Sequence, residues 1–341
     1  MRQEKIKVLL WLAWVMACAG FIFISAQNML RYPAGQTSDV YEINRLASLR
    51  ITRMCNPYPE TFLIRTRGQI YGLRYDYPPA GALVYALFSA WTDIRWANCL
   101  LGLICAFSLV LIFHQRWFGF LISAVFLLNP WTQNAVSGMT SSSEVIGAGL
   151  LFISLLSSER FRVPFLSAAV LALCVLIKQF YFPLGILFAV YFFRTDKKLF
   201  CVFFLTASAV CVPFIVFSPA GFFSLISSQS RILSAALTQH FYAPWMFSSP
   251  SLFYRIYAAG NWHAAVLITI AYLSGCAVSF VYFIENVWRK KVDFSGIVFW
   301  FGVWLLAVIF GIPKLNFSQY VFLLLPSFSL IPRQIALRGR K

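Results

Sequence analysis

The chain has 341 residues, of which 60% are hydrophobic and 11% are charged, and its mean hydropathy is +0.75. This composition excludes a water-soluble globular protein and is typical of a polytopic membrane protein. The net charge of +17 does not indicate nucleic-acid binding, because the basic residues cluster at the ends of apolar segments. The eight cysteines form no Cys-x-x-Cys pair, so they predict neither a disulfide framework nor a zinc site.

Eleven apolar segments follow one another along the sequence. Their approximate bounds are 8–24, 80–92, 96–113, 117–131, 142–157, 163–178, 180–193, 199–217, 262–284, 294–311 and 317–332. The first follows a basic N-terminus, as in a signal peptide, but has no convincing small-x-small cleavage site. We therefore interpret it as a retained signal anchor.

The placement of segment 80–92 decides the membrane topology. As a helix, this segment would rise only about 20 Å, which is less than a hydrocarbon core of about 30 Å. If it lies along the membrane surface and the N-terminus is inside, sixteen basic residues fall on the inner side, against four in the outer loops after the first. If it crosses the membrane, most of those cations move outside. The positive-inside rule favours the first arrangement.

The predicted fold class is therefore an all-α integral membrane protein with about ten transmembrane helices. We expect a single polytopic domain over 1–341 in the cytoplasmic membrane, with both termini cytoplasmic and an interfacial helix at 80–92. The first outer loop (25–95) and a second long loop (218–261) then lie on the same face. The working surface is predicted to be extracytoplasmic.

Asp39 lies about fifteen residues after the first apolar segment. One interpretation is structural, because Ser38 or Asp39 could cap a following helix and Glu42 could complete a capping box. The other is functional, because a carboxylate at the membrane surface can act as a general base and contribute about 10²–10⁴ in rate. The two roles are compatible, and Asp39 is the candidate catalytic residue.

Residues 75–79, Tyr-Asp-Tyr-Pro-Pro, form the most specific string in the chain. The prolines fix φ and favour an extended residue before them, so the string predicts a rigid turn into helix 80–92. The structural interpretation is that the motif is only this turn, with tyrosines as surface anchors.

An outer-loop Asp followed by Tyr-x-Tyr-Pro-Pro also resembles the GT-C superfamily of membrane glycosyltransferases. The most similar branch is the polyprenyl-phosphate-mannose-dependent mannosyltransferases of glycosyltransferase family 87.

Three further segments resemble that family. Segment 129–144 falls where such enzymes have a second outer loop that often carries an acid, here Glu144. Segment 178–183 is similar to their lysine before an aromatic-proline helix start, and segment 316–326 is similar to the start of their last helix.

The resemblance implies an inverting transfer of a hexose, mannose by analogy, from a polyprenyl-phosphate-linked donor to a lipid- or glycan-linked acceptor. It implies that Asp39 takes the acceptor proton. A divalent metal would suit carboxylate ligands, but the sequence does not require one. Membrane lipids are the other expected partners. The further site candidates are Asp76 and Glu144 as second acids, and Arg74, Lys178, Lys314, Tyr320 and His240 for binding the donor phosphate or the substrate.

Most of these side chains also have a structural interpretation. A lysine at a helix end usually extends its ammonium to the headgroups, which would account for Lys178 and Lys314. Glu144 suits the N-terminus of a helix, and His240 suits a polar loop. The arginines of the first loop would attract any anionic lipid.

Two other function classes compete with an enzyme. A flippase or transporter for lipid-linked saccharides needs polar groups in the middle of the membrane, whereas the ionisable residues of this chain gather at segment ends. An assembly subunit with a degenerate GT-C scaffold would need no catalytic groups. The sequence favours the glycosyltransferase.

Overall fold

The computed structural model describes residues 2–33, 36–66, 69–113, 117–138, 143–224, 260, 262–289, 291–311, 326–328 and 330. The longer elements of these segments are helical except for one β-hairpin. The helices are α1 (Arg2–Arg31), α2 (Asp39–Thr52), α3 (Pro79–Ser89), α4 (Arg95–Ile112), α5 (Trp117–Leu128), α6 (Pro130–Val136), α7 (Ser143–Glu159), α8 (Pro164–Val175), a 3₁₀ turn (Gln179–Tyr181), α9 (Phe182–Thr195), α10 (Lys197–Phe217), α11 (Trp262–Trp288) and α12 (Phe294–Gly311).

Four of the described helices are long and apolar enough to cross a membrane. They are Glu4–Arg31, Arg95–Ile112, Lys197–Phe217 and Val266–Trp288, and several shorter apolar helices accompany them. The chain is therefore a helical membrane protein, as its composition predicts. The count of about ten spans stays a prediction, and most of the expected last span, 317–332, lies outside the described residues.

The β-hairpin is a departure from the all-α expectation. Strands β1 (Thr61–Thr66) and β2 (Gln69–Arg74) pair antiparallel within the first loop. Phe62 and Ile64 of β1 are buried and join an apolar cluster with Tyr58 and Tyr75. Residues 61–66 are rich in the β-branched and aromatic side chains that favour strands, and the sequence analysis did not use this signal.

The chain divides into two compact units, Met1–Gly185 with Lys198–Leu225, and Ile186–Lys197 with Ile226–Lys341. In the first unit, α1 runs parallel to α5. The indole Nε1 of Trp14 donates to the hydroxyl of Ser123 at 2.7 Å, and the rings of Trp11 and Phe120 meet edge to face at 5.0 Å. The contact partners advance by three residues in both helices, from Trp11 to Trp14 and from Phe120 to Ser123, so the two helices run in the same direction.

Helix α7 packs between α4 and α8 in the first unit. Ser154 of α7 and Ser167 of α8 exchange hydrogen bonds, with each hydroxyl donating to the other's carbonyl oxygen at 2.8–2.9 Å. Towards α4, Gly149 leaves no space for a side chain, because a Cβ atom there would lie 2.7 Å from the carbonyl oxygen of Leu101. This glycine sets the approach of α7 to α4.

The N-terminus of α4 lies beside the C-terminus of α1. The guanidinium of Arg95, the first residue of α4, donates to the carbonyl oxygens of Met29 and Tyr32. The 11 residues of α3 therefore do not carry the chain from one end of α1 to the other. This agrees with the expectation that segment 80–92 does not cross, while its position in the membrane surface stays a prediction.

In the second unit, aromatic contacts join α9 to α11 and α12. The rings of Phe193 and Trp288 stack at 6.2 Å, and the rings of Phe188 and Phe294 lie 4.4 Å apart. Helices α11 and α12 are joined by a hydrogen bond from the Trp304 indole to the Cys276 carbonyl oxygen at 2.9 Å.

We predict that Gly149→Ala lowers the free energy of unfolding by about 1–3 kcal/mol, because the new methyl group must push α7 away from α4. The control is Gly20→Ala in α1, where a Cβ would meet no atom within 4 Å, so this variant should be neutral or slightly stabilising. Thermal unfolding of both purified variants in detergent measures the difference. Equal midpoints for Gly149→Ala and the wild type would contradict the close packing.

Candidate functional site

Asp39 is the first residue of α2, and Ser38 caps that helix. The Ser38 hydroxyl accepts the backbone N–H of Tyr41 at 3.2 Å, which confirms the predicted cap. Glu42 is one residue too late to complete a capping box with Ser38. Its buried carboxylate instead accepts from the hydroxyl of Thr37 at 2.9 Å and forms an ion pair with a neighbouring arginine. Asp39 itself is exposed and accepts only the adjacent N–H of Val40 among the described residues.

The start of α2 is fixed by contacts with the end of α6. The backbone N–H of Ser38 donates to the carbonyl oxygen of Gly138 at 2.9 Å. Gly138 has a φ of +77°, and a Cβ atom there would lie 3.0 Å from the ring of Tyr41. Both the backbone conformation and the close ring therefore favour glycine at 138.

A buried arginine ties this region to two helix ends. Arg95 is 2% exposed, and its guanidinium donates to the carbonyl oxygens of Tyr32 at 2.8 Å and Ser137 at 3.2 Å, just beyond the C-termini of α1 and α6. The same group forms an ion pair with Asp93 at 2.6 Å. Its carbon Cζ lies 5.1 Å from the ring centre of Tyr41.

The charges of this cluster influence one another. Burial alone would raise the pKa of Asp93, but hydrogen bonds from Arg95, its positive charge, and a hydrogen bond from the Tyr41 hydroxyl lower it overall. Burial, together with the negative charge of Asp93, raises the pKa of Tyr41. The carboxylate therefore stays charged and the phenol stays protonated at neutral pH.

The turn at 75–79 is held rigidly, as its two prolines predict. The buried Tyr75 hydroxyl donates to the carbonyl oxygen of Pro78 at 3.2 Å, and the Tyr58 hydroxyl donates to that of Tyr77 at 2.7 Å. The side-chain amide of Gln179 donates to the carbonyl oxygen of Asp76. The tyrosine bonds stabilise the turn from within the first loop, and the Gln179 bond holds it beside the end of α8.

Glu144 and Lys178 form an ion pair beside this turn. Glu144 is 0% exposed in the first turn of α7, and Lys178 lies in the turn after α8. The Tyr181 hydroxyl donates to the carbonyl oxygen of Glu144 at 3.1 Å, and Gly147 leaves room for the Tyr181 ring. The structure thus joins two residues that the sequence analysis had selected separately.

The phenol of Tyr77 lies among the candidate acids. The ammonium of Lys178 sits 5.4 Å from its ring centre. Burial raises the pKa of Tyr77, and the negative charges of Asp39, Glu144 and Asp76 raise it further. Four of the predicted site residues therefore lie within electrostatic range of one tyrosine, and we call these five residues the Tyr77 centre.

The Tyr77 centre contains three carboxylates and one ammonium, and the ammonium of Lys178 forms an ion pair with Glu144. Carboxylate oxygens accept hydrogen bonds, so the centre can bind groups that donate them, such as hydroxyls. No cluster of three or more His, Cys, Asp or Glu side chains suited to a metal ion occurs in the part of the chain that the structure describes.

The remaining predicted residues are elsewhere or are not described. Arg74 is exposed on β2, where its Nε donates to the Thr61 hydroxyl at 3.5 Å. Lys314, Tyr320 and His240 lie outside the described residues.

Sequence reasoning missed the supporting residues Tyr41, Asp93 and Arg95, and it did not single out Tyr77. Arg95 was counted only as one of eight arginines in the first loop. A signal was present, because an Asp-x-Arg sequence directly before a long apolar helix places a cation where a membrane span begins. Such a cation is costly unless it is paired.

No family model matches the chain, and no curated protein and no solved structure matches it either. The resemblance to GT-C glycosyltransferases therefore rests on the motifs given above.

We predict that Arg95→Gln lowers the free energy of unfolding by about 3–5 kcal/mol, because it leaves the Asp93 charge and the carbonyl oxygens at two helix ends without their donor. The matched control is Arg50→Gln, which breaks the partly exposed ion pair with Glu60 and should cost much less, because an exposed ion pair contributes little to stability. Unfolding midpoints in detergent distinguish the two. Similar losses for both variants would contradict the role assigned to Arg95.

Proposed function

We propose that this protein is an inverting membrane glycosyltransferase of GT-C type that transfers a hexose from a polyprenyl-phosphate-linked donor to a lipid- or glycan-linked acceptor. The observation that supports this best is the Tyr77 centre, where an exposed carboxylate, an ammonium and a phenol lie together at one end of the helices. The motif resemblance, which involves the same residues, is a second support.

In this proposal Asp39 is the general base. Its carboxylate is exposed at the first residue of α2. The carboxylate accepts one hydrogen bond, from the backbone N–H of Val40, and its other lone pairs can accept a proton from substrate. The acceptor hydroxyl gives its proton to Asp39 while its oxygen bonds to the anomeric carbon. The bond from that carbon to the donor phosphate oxygen breaks, and polyprenyl phosphate leaves.

Lys178 and Glu144 act together in this reaction. Because Glu144 neutralises Lys178, the pair offers little net attraction to a distant phosphate. An ammonium has three N–H donors, however, so Lys178 can hold Glu144 and also donate to a phosphate oxygen at contact distance. Glu144 orients the lysine, while Arg74 and Lys314 remain candidates for the longer-range attraction of the donor. Tyr320 and His240 remain candidate contacts to the sugars.

The distribution of charge along α7 supports an extracytoplasmic site. Glu144 lies in the first turn of this helix, and Arg160 follows its last residue, Glu159. A helix of 17 residues is about 25 Å long, so the Tyr77 centre and this basic end are far apart. By the positive-inside rule the basic end of α7 is cytoplasmic, so the Tyr77 centre lies at the extracytoplasmic end. In this proposal α3 lies in the outer membrane surface and forms one wall of the site.

We predict that Asp39→Asn lowers kcat for sugar transfer by about 10²-fold or more, because the amide cannot accept the acceptor proton. The unfolding midpoint should not change, since the side chain is exposed. The assay uses purified protein in lipid nanodiscs with a polyprenyl-phosphate-hexose donor. Asp196→Asn, which changes an exposed aspartate between α9 and α10, is the control and should keep wild-type turnover.

Wild-type turnover in a folded Asp39→Asn variant would remove Asp39 from the mechanism. If the wild type instead moved lipid-linked saccharide between leaflets without any transfer, the transporter alternative would replace the enzyme. Neither transfer nor transport by the wild type would favour an assembly subunit.

We also predict a role in substrate binding for the Tyr77 hydroxyl, which has no hydrogen-bond partner among the described residues. Tyr77→Phe should therefore keep the unfolding midpoint but lower kcat/KM by about 10-fold, as expected for the loss of one hydrogen bond to substrate. Tyr75→Phe is the contrasting variant, because it removes a bond to Pro78 within the protein and should lower stability instead. An unchanged kcat/KM for Tyr77→Phe would exclude substrate contact by this phenol.

A further inference from the structure

The hairpin has one buried and one exposed face. Phe62 and Ile64 point into the apolar cluster, whereas every residue on the opposite face is exposed. Leu63 on β1 is 77% exposed, and Ile70 on β2 is 68% exposed. We call this surface the outer hairpin face, and its residues are Thr61, Leu63, Arg65, Ile70, Gly72 and Arg74.

The outer hairpin face combines aliphatic side chains with uncompensated positive charge. Arg65 pairs across the strands with Ile70, and Arg74 pairs with Thr61. Neither arginine has an acid partner among the described residues. By contrast, the guanidinium groups at three other positions of the first loop form ion pairs, namely Arg45, Arg50 and Arg95.

The hairpin is attached to the end of a membrane-length helix. Tyr58, which packs with the buried face of the hairpin, contacts the ring of Phe214 near the C-terminus of α10 at 5.7 Å. The side-chain amide of Asn56 donates to the carbonyl oxygen of Phe214 at 3.4 Å. Helix α10 is one of the four helices able to cross a membrane, and Phe217 at its end is 80% exposed. The hairpin therefore lies near the depth at which this helix leaves the bilayer.

We propose that the outer hairpin face lies on an anionic phospholipid leaflet, with Leu63 and Ile70 between the headgroups and Arg65 and Arg74 on the lipid phosphates. Arginines near an anionic membrane surface are attracted to it, and aliphatic side chains are stabilised when they leave water. This interaction does not depend on the proposed reaction.

The size of the face argues against a second copy of the chain as the occupant. Two strands of six residues cover roughly 20 Å by 10 Å, or about 200 Å², whereas a stable dimer usually buries about 800 Å² on each partner. Two facing copies would also bring their arginines together. A lipid surface needs no minimum area, because the membrane helices already hold the hairpin close to it.

The test places an environment-sensitive fluorophore on Leu63→Cys in a chain whose eight cysteines, all free thiols, are replaced by alanine. The labelled protein is measured in nanodiscs of pure phosphatidylcholine and of phosphatidylcholine with phosphatidylglycerol, each with and without lipids brominated near the headgroup. We expect blue-shifted emission and quenching by brominated lipid, both stronger in the anionic nanodiscs.

Arg65→Gln combined with Arg74→Gln should remove the dependence on anionic lipid, lowering the contact equilibrium constant by roughly 25-fold, about fivefold for each arginine. Both side chains are exposed, so the fold should be kept. The control Arg160→Gln, an exposed arginine after α7, should leave the dependence unchanged. Emission typical of water without quenching would overturn the proposal. Quenching that does not depend on lipid charge would also overturn it, as would a signal that appears only when two protein molecules share one nanodisc.

Discussion

The guanidinium of Arg95 holds the ends of two helices to the start of a third. Its N–H groups point at carbonyl oxygens at the ends of α1 and α6, which have no partners within their own helices. Asp93 balances the charge and Tyr41 covers one face of the group. Because a buried cation is costly without such partners, this arrangement defines where each helix ends. The position of Asp39 follows from it, since the backbone of Ser38, the cap of α2, is bonded to Gly138, two residues after the end of α6.

The same region shows how much of the candidate site could be predicted from the sequence. Four candidate residues were selected from four separate segments, and in the structure all of them lie within electrostatic range of Tyr77; they are Asp39, Asp76, Glu144 and Lys178. The sequence singles these residues out because charged residues are rare in this chain and stand at helix ends, where few positions are available. Pattern alone could not predict the Glu144–Lys178 ion pair, because it requires the direction and rotation of α7 and α8.

The fold was predictable in class but not in detail. Apolar length and basic flanks predicted the helices, and the start of α4 beside the end of α1 agrees with the expected course of segment 80–92. The hairpin was missed because two short strands give a weak signal in a chain dominated by helical segments. Arg95 was missed because its partners are mostly backbone carbonyl oxygens, which every residue carries and no composition reveals.

The bond between Arg95 and the end of α1 has a consequence for how the first loop reaches its structure during membrane insertion. Residues 32 and 95 are brought together, so the intervening chain becomes a closed ring whose closure is entropically unfavourable until both flanking helices are in the bilayer. The apolar cluster of the hairpin further includes Phe214 and Phe222, which are synthesised much later. These two contacts can form only after α10 has been synthesised, so the packing of the first loop is completed late.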